Sequence, residues 1–197
     1  MIYLNDHLNT LDLETTLPLL SAQRREQALK YKHDQGRRTC VAAYLLLCEG
    51  LKREYGITKP PVFGYGEHGK PYIIGEEHIY FNMSHCREAA ICAIAPYPIG
   101  IDIESVRPCN ESLIDYTMNE QEAHSIKEAE HPELAFTRLW TMKEAILKMS
   151  GVGISHDLKN TLNGTERFKI EEHYELGYVY SIIGSNEEFL SMPVVKL

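Results

Sequence analysis

The sequence lacks long apolar runs and an excess of basic charge, and each absence excludes a class of protein. Its longest wholly apolar run covers residues 40–48, far short of the roughly 20 residues that span a bilayer. Lys and Arg number 20 against 28 Asp and Glu, a formal net charge of −8, so no global basic field attracts nucleic acid or an anionic membrane. The composition therefore argues against a membrane protein and against a nucleic-acid binder.

Basic residues are also missing from the start of the chain, where no Lys or Arg precedes Arg24. Because a secretory signal begins with a charged segment, we expect a cytoplasmic protein. The cysteines number five, and no C-x-x-C pair indicates zinc or redox work. We interpret them as reduced thiols, mostly in the core.

What the sequence does contain is ample apolar material, since 44% of its 197 residues are hydrophobic and can fill a real core. A strand is predicted over residues 1–13, and helical spacing follows over 20–55, with Gly36 as a candidate interruption and Gly56 as its stop. Residues 60–71 are rich in Gly and Pro and predict turns.

The rest of the chain returns first to strands and then to helices. Three β-like runs predict one antiparallel sheet, and they cover residues 79–83, 89–95 and 99–104. Two helices are predicted over 113–149, parted near residues 131–132, and short strands over 155–197. This order predicts an α+β protein of two halves, residues 1–97 and 98–197.

Residues 64–70 match two nucleotide-binding patterns, G-x-G-x-x-G and G-x-x-x-x-G-K, but their context contradicts both. A phosphate loop needs Ser or Thr after the lysine and a helix whose N–H groups face the phosphate, and Pro71 supplies neither hydroxyl nor N–H. The dinucleotide pattern also needs a following helix. Two interpretations remain: a turn holding Lys70 beside open backbone that suits adenine or phosphate, or an ordinary exposed hairpin.

Asp102 and Glu104 stand two residues apart in an apolar strand, so both carboxylates share one face while the neighbouring isoleucines enter the core. Adjacent like charges favour a bound cation, and Mg²⁺ is the natural one because it takes carboxylate oxygens. Charges on the solvent face of a half-buried strand are the alternative.

Trp140, Glu144 and Lys148 recur every four residues and fall along one helical stripe. Taken alone, the stripe is better explained by a surface ion pair and a core tryptophan. His85, after Ser84, could act as acid, base or phosphate donor, or be structural. It forms no hydrolase pair with Ser84 or Cys86, because neighbours on a strand point to opposite faces.

Together and in this order, four of these segments resemble the 4′-phosphopantetheinyl transferases of the Sfp type, over about residues 20–160. They lie at residues 69–71 (Gly-Lys-Pro), 81–85 (Phe-Asn-Met-Ser-His), 100–104 (Gly-Ile-Asp-Ile-Glu) and 140–153 (Trp-x-x-Lys-Glu-x-x-x-Lys, then Gly151 and Gly153). The resemblance implies a monomer of two similar α+β halves, related by a pseudo-two-fold axis, with the active site in the cleft between them.

The resemblance also implies the activity and its residues. The enzyme would transfer 4′-phosphopantetheine from coenzyme A to a serine of an apo acyl or peptidyl carrier protein, with Mg²⁺, or Mn²⁺ instead, and release 3′,5′-ADP. The metal-binding carboxylates would be Asp102, Glu104 and Glu144. Coenzyme A would contact Arg24, Arg38, Thr39, Lys70 by the 3′-phosphate, Pro71, Ser84, and His85 and Lys148 by the pyrophosphate.

In the implied mechanism Glu144, directly or through a water that it orients, takes the proton of the carrier serine. Lys148 and His85 neutralise charge on the phosphates, and Lys148 could protonate the leaving group. One departure concerns the 3′-phosphate: the family often has a second basic residue three places after Arg24, where this chain has Gln27. We expect Lys30 or Lys32 to substitute.

Two other function classes stay open. One is a coenzyme A or carrier-protein binding module without turnover, and the other is a Mg²⁺-dependent hydrolase of nucleotide pyrophosphates. The acidic segment 116–133 is interpreted as a solvated helical surface, with Glu120 as an extra candidate for the metal side. The carrier-docking surface is not identified by the sequence.

Overall fold

The computed structural model describes residues 1–153, 158–162 and 164–197, which form α-helices and three sheets. The helices are α1 (Leu13–Thr16), α2 (Ala22–Leu29), α3 (Asp34–Tyr55), α4 (Glu111–Thr117), α5 (Glu120–Lys127) and α6 (Pro132–Ser150). The strands are β1 (Ile2–Asn5), β2 (Phe63–Tyr65), β3 (Pro71–Ile73), β4 (Tyr80–His85), β5 (Ala90–Ala95), β6 (Ile99–Ser105), β7 (Lys169–His173), β8 (Tyr178–Gly184) and β9 (Val194–Lys196). The α+β class is confirmed; of the strand region predicted over 155–197, residues 155–157 and 163 lie outside the described residues.

The sheets correct the prediction that three consecutive runs pair with one another. Strands β4 and β5 do pair antiparallel, but the first sheet has the order β4-β5-β1-β9, and β6 belongs to a second sheet of order β6-β8-β7. The reason is that β5 hydrogen-bonds to β4 on one edge and to β1 on the other, so it offers β6 no free edge. The last strand, β9, pairs parallel to β1; the division into halves at residue 97 stays a prediction.

The turn-rich region is not only a loop. Its strands β2 and β3 pair as a short antiparallel hairpin with Phe63 opposite Ile73 and Tyr65 opposite Pro71. Gly69, in the connecting turn, has a φ of 80°, a conformation that glycine adopts without strain.

Helix α3 packs its apolar face, including Leu47 and Leu51, into a core shared with the first sheet. It ends at Gly56, a left-handed C-cap as predicted. The expected interruption at Gly36 is wrong, because α3 continues through it and the break falls at residues 30–33. A Cβ at Gly36 would lie 2.7 Å from the ring of Tyr31, so this glycine makes room for a side chain and not for a bend.

The region predicted as two helices contains three. The break near residues 131–132 is confirmed, and a further break separates α4 from α5. Asn119 and Glu122 form a capping box that starts α5. That pattern is readable in the sequence, since an Asn three residues before a Glu is a helix-start signal.

Strand β6 packs directly against α6, the helix that carries Glu144 and Lys148. Its isoleucines are fully buried between the two sheets, which confirms that alternate residues share a face. On the other face a Cβ at Gly100 would collide with the carbonyl oxygen of Ala145 and with Met149. Glycine at this position therefore allows α6 to lie directly against β6. No helix among the described residues has the length and apolar character to cross a membrane.

Candidate active site

A cleft of about 300 Å³ lies between the β2–β3 hairpin, strand β4 and the C-terminal part of α6. The residues that line it are His68, Gly69, Lys70, Pro71, Phe81, Asn82, Met83, Glu144, Leu147, Lys148, Gly151 and Gly153. Three of the four sequence motifs contribute to this lining. The fourth motif, on β6, does not itself line the cleft. It is linked to the cleft by the hydrogen bond from Lys148 to Asp102.

Lys148 joins the motifs. Its Nζ donates to Asp102 Oδ1 at 2.5 Å and to Ser84 Oγ at 2.9 Å, and Ser84 Oγ donates to the same Asp102 oxygen at 2.8 Å. Asp102 is only 1% exposed, and a buried carboxylate requires such partners. One ammonium group thus connects β4, β6 and α6.

Two carboxylate oxygens beside this ion pair lack a hydrogen-bond partner within the described chain. They are Asp102 Oδ2 and Glu144 Oε1, and both atoms are buried. Buried polar atoms are normally paired, so these two lone-pair sites are suited to a ligand.

The pKa values of the neighbouring carboxylates also indicate a site suited to a ligand. Burial, and then repulsion by Asp102, raises the pKa of Glu104 well above its ordinary range, against smaller opposing effects of Lys148 and of a hydrogen bond from Trp140. Burial and Asp102 also raise the pKa of Glu144. Acids held together without enough positive charge behave in this way.

No three His, Cys, Asp or Glu side chains in the described ranges form a ready metal cluster. The chemistry of Asp102, Glu104 and Glu144 nevertheless fits a hard divalent cation, because the unpaired oxygens are carboxylate oxygens. Their metal-binding role stays a prediction.

Strand β4 turns alternate side chains to two neighbourhoods. Asn82 and Ser84 face α6, where Asn82 Nδ2 donates to the carbonyl oxygen of Lys148 at 3.3 Å. His85 faces the other way, with Nε2 lying 3.3 Å from the hydroxyl of Tyr31. Burial, with contributions from the charges of Lys148 and Arg24, lowers the pKa of His85 to about 4. His85 is therefore neutral at neutral pH.

Lys70 has a structural contact that the sequence did not indicate. Its Nζ donates to the carbonyl oxygen of Met149 at 2.6 Å, in the last turn of α6, and burial lowers its pKa. A cation at a helix C-terminus satisfies a free carbonyl and interacts favourably with the helix dipole. Lys70 thus fastens the hairpin to α6, beside Pro71.

The predicted nucleotide contacts near α3 have other partners. The Arg24 guanidinium lies over the ring of Tyr44, 4.9 Å from its centre, and its Nε is buried with no partner among the described residues. Arg38 Nε donates to the carbonyl oxygen of Leu11 at 3.2 Å, and Thr39 Oγ1 donates to that of Gly36 at 3.0 Å. Arg24 acts electrostatically on His85, whereas Arg38 and Thr39 do not line the cleft.

The sequence analysis assigned no role to Lys143 of the Trp-x-x-Lys-Glu motif, and this lysine is fully buried. Its Nζ donates to Glu122 Oε2 at 2.6 Å and to the carbonyl oxygens of Thr117 and Leu158 at 2.9 and 2.7 Å. It ties α6 to the α4–α5 corner and so braces the helix that carries Glu144. A lysine on the apolar side of a helix was the available signal. Glu120, by contrast, is exposed at the start of α5.

Comparison with known proteins identifies the family of the chain. A family model described as the 4′-phosphopantetheinyl transferase superfamily matches residues 98–185. A 4′-phosphopantetheinyl transferase of Bacillus subtilis is 30% identical over 158 residues, which cover 78% of this chain and 70% of that protein. The corresponding enzyme HetI of Nostoc sp. is 31% identical over 170 residues, 81% of this chain and 72% of its own. AcpT of Salmonella typhi, also named a 4′-phosphopantetheinyl transferase, is 35% identical over 140 residues, 67% of this chain and 69% of its own. The chain belongs to the 4′-phosphopantetheinyl transferase superfamily.

Proposed function

We propose that this chain transfers the 4′-phosphopantetheine group of coenzyme A to a serine of an apo acyl or peptidyl carrier protein. The observation that carries the proposal is the Lys148–Asp102 ion pair together with two buried carboxylate oxygens, Asp102 Oδ2 and Glu144 Oε1, that have no hydrogen-bond partner among the described residues. A lysine ammonium can bind a phosphorylated substrate, and a carboxylate beside it can accept a proton from the attacking group. The activities named for the relatives narrow this chemistry to phosphopantetheine transfer.

Asp102, Glu104 and Glu144 would hold Mg²⁺, with Mn²⁺ as the alternative. When bound, the ion supplies positive charge that neutralises the diphosphate of coenzyme A. The unpaired oxygens and the raised pKa values of Glu104 and Glu144 support this assignment.

The reaction needs one base and several phosphate contacts. The carrier serine oxygen bonds to the β-phosphorus, the bond from that phosphorus to the bridging oxygen breaks, and 3′,5′-ADP leaves. Glu144 accepts the serine proton, directly or through a water that it orients, and its Oε1 has no hydrogen-bond partner among the described residues. The Lys148 ammonium lies beside the developing charge and donates a proton or hydrogen bond to the leaving phosphate, while neutral His85 donates a hydrogen bond.

The remaining contacts divide between holding the substrate and shaping the cleft. We assign Arg24 to the phosphates of coenzyme A, supported by its charge near His85. The family resemblance assigns Arg38, Thr39 and Ser84 to the phosphates as well, but the hydroxyls of Thr39 and Ser84 already donate to Gly36 and to Asp102. Lys70 and Pro71 line the cleft as a wall, where the Lys70 ammonium donates to the carbonyl oxygen of Met149. The chain is proposed to act as a monomer in the cytoplasm.

Incubation with coenzyme A, Mg²⁺ and an apo carrier protein tests the function by the mass of the carrier. The transferase adds one phosphopantetheine per carrier serine. Coenzyme A binding without a mass change would indicate a binding module. Release of 3′,5′-ADP and free phosphopantetheine without carrier would indicate a hydrolase. Either of the last two results overturns the proposal.

A further inference from the structure

Tyr31 belongs to none of the four motifs, yet it contacts the candidate active site. It lies in the connection between α2 and α3, and its hydroxyl is 3.3 Å from His85 Nε2. The two rings meet edge to face, with 5.8 Å between their centres. This is a direct side-chain contact between the α2–α3 connection and strand β4.

The fold holds Tyr31 in place through its backbone and its ring. Its N–H donates to the carbonyl oxygen of Ala28 at 3.2 Å, and its own carbonyl accepts from Arg37 Nε at 3.1 Å. The ring packs where a Cβ on Gly36 would lie, 2.7 Å from its Cδ1. A glycine within a helix costs about 1 kcal/mol relative to alanine. Gly36 therefore lowers the stability of α3, but it leaves the space that the Tyr31 ring occupies.

His85 needs a partner that selects one of its two neutral forms. A neutral imidazole has one N–H donor and one bare nitrogen, and its hydrogen-bond partner decides which nitrogen carries the proton. Burial first, and then the charges of Lys148 and Arg24, disfavour the charged form of His85 and lower its pKa. Burial raises the pKa of Tyr31, so its hydroxyl remains protonated and can donate.

We propose that Tyr31 is a positioning residue for His85: its hydroxyl donates to Nε2 and keeps the imidazole proton on Nδ1. The Nδ1–H group is then the donor that His85 offers to a phosphate. This inference deepens the proposed function and rests on it for its kinetic part, whereas the position of the proton is testable on the protein alone.

The imidazole ¹⁵N chemical shifts measure the position of that proton, with the His85 signals assigned by their absence in His85→Gln. We expect the Nδ1–H form in the unmodified protein and a mixture of both forms, or Nε2–H, in Tyr31→Phe. Tyr55→Phe is the matched control, because Tyr55 also meets a histidine edge to face, His78 at 6.3 Å, away from the cleft. A proton on Nε2 in the unmodified protein, or no change in Tyr31→Phe, overturns the proposal.

A double-mutant cycle tests the consequence for transfer. Tyr31→Phe should lower kcat/KM for coenzyme A about five-fold, the effect of one ordinary hydrogen bond, and should have no further effect in a His85→Gln background. Equal losses in both backgrounds would show that Tyr31 acts independently of His85 and would contradict the inference. If the unmodified protein transfers nothing, the proposed function fails, while the ¹⁵N shifts still decide the role of Tyr31.

Discussion

Two regions proposed to contact coenzyme A differ in how firmly their charges are held: the β4–β6–α6 side, called the fixed side below, and the α2–α3 side. On the β4–β6–α6 side, Asp102 is buried and Lys148 is bound to it and to Ser84. On the α2–α3 side, Lys30 and Lys32 are exposed, and neither forms an ion pair within the described part of the chain. The difference teaches that the groups proposed for chemistry are fixed before substrate binds, whereas those proposed for affinity are free to adapt to it.

Glu144→Gln, on the fixed side, should cause the largest loss of transfer activity. The amide keeps the shape of the side chain but cannot accept the serine proton or supply a carboxylate charge, so we expect transfer to fall by about 10³-fold or more. Carrier mass measures the rate, and thermal unfolding checks that the fold persists. Glu130→Gln, at an exposed position, is the control. Near-normal turnover in Glu144→Gln would remove this residue from the proposed mechanism.

Gly100→Ala should separate the two elements that build the fixed side. The new Cβ would collide with the carbonyl oxygen of Ala145 and with Met149, and because both belong to a packed helix we expect a loss of about 2–3 kcal/mol in the free energy of unfolding. Urea unfolding measures it. Gly66→Ala is the matched control, since its Cβ would only reach the Lys70 carbonyl at 3.7 Å. Equal stability of the two variants would contradict close β6–α6 packing.

His85 lies between the two sides and should make stability depend on pH. Its pKa is about 4 when folded against 6.5 ordinarily, so between these values the unfolded chain binds a proton that the folded chain does not. This contribution to stability is present above pH 6.5 and is lost as the pH falls toward 4, by about 1–2 kcal/mol at pH 5. Unfolding in urea at pH 7 and 5 should show a smaller acid loss in His85→Gln. Parallel losses in both proteins would contradict the burial of neutral His85.

The fixed side was largely predictable from sequence, for a local reason. Because one isoleucine separates Asp102 from Glu104, a strand places both carboxylates on the same face. The four-residue spacing of Glu144 and Lys148 places both side chains on one face of a helix. Which strand β6 would join was not predictable, because that depends on β5 already being paired on both edges.

Contacts with no local pattern also escaped prediction. Tyr31 reaches His85 across 54 positions of sequence, and Lys70 reaches Met149 across 79. Neither residue type signals its partner, since tyrosines and lysines at chain turns are common. The break at residues 30–33 was misplaced to Gly36 for the same reason: the glycine answers a tertiary contact with Tyr31 and not a local bend.

Lys70→Met tests whether Lys70 shapes the cleft or binds the 3′-phosphate of coenzyme A. Because its ammonium is bound to the Met149 carbonyl, we expect a wall residue, whose loss raises KM about five-fold for coenzyme A and for 3′-dephospho-coenzyme A alike. Steady-state kinetics with both substrates measures the ratio. A rise confined to coenzyme A would instead assign the ammonium to the 3′-phosphate, as the family resemblance implies.

The double variant Lys30→Gln/Lys32→Gln should give the opposite pattern, with a smaller effect. These residues flank Tyr31, which contacts His85, and they are the candidates to replace the basic residue missing at Gln27. We expect KM to rise about three-fold for coenzyme A at low ionic strength and to stay unchanged for the 3′-dephospho form. Because both ammonium groups are exposed, the rise should fade near 0.5 M salt, where the Debye length is only about 4 Å.

Lys52→Gln/Lys127→Gln is the matched control, since it removes the same charge from two exposed helix ends. An equal rise in this control would reduce the effect to net charge alone. If Lys30→Gln/Lys32→Gln affects both substrates equally, the lysines do not recognise the 3′-phosphate. Arg24, whose buried Nε has no partner in the described part of the chain, then becomes the residue to test for that contact. Opposite substrate patterns in the Lys70 and Lys30/Lys32 variants would mean that fixed charges shape the cleft while free ones select the nucleotide.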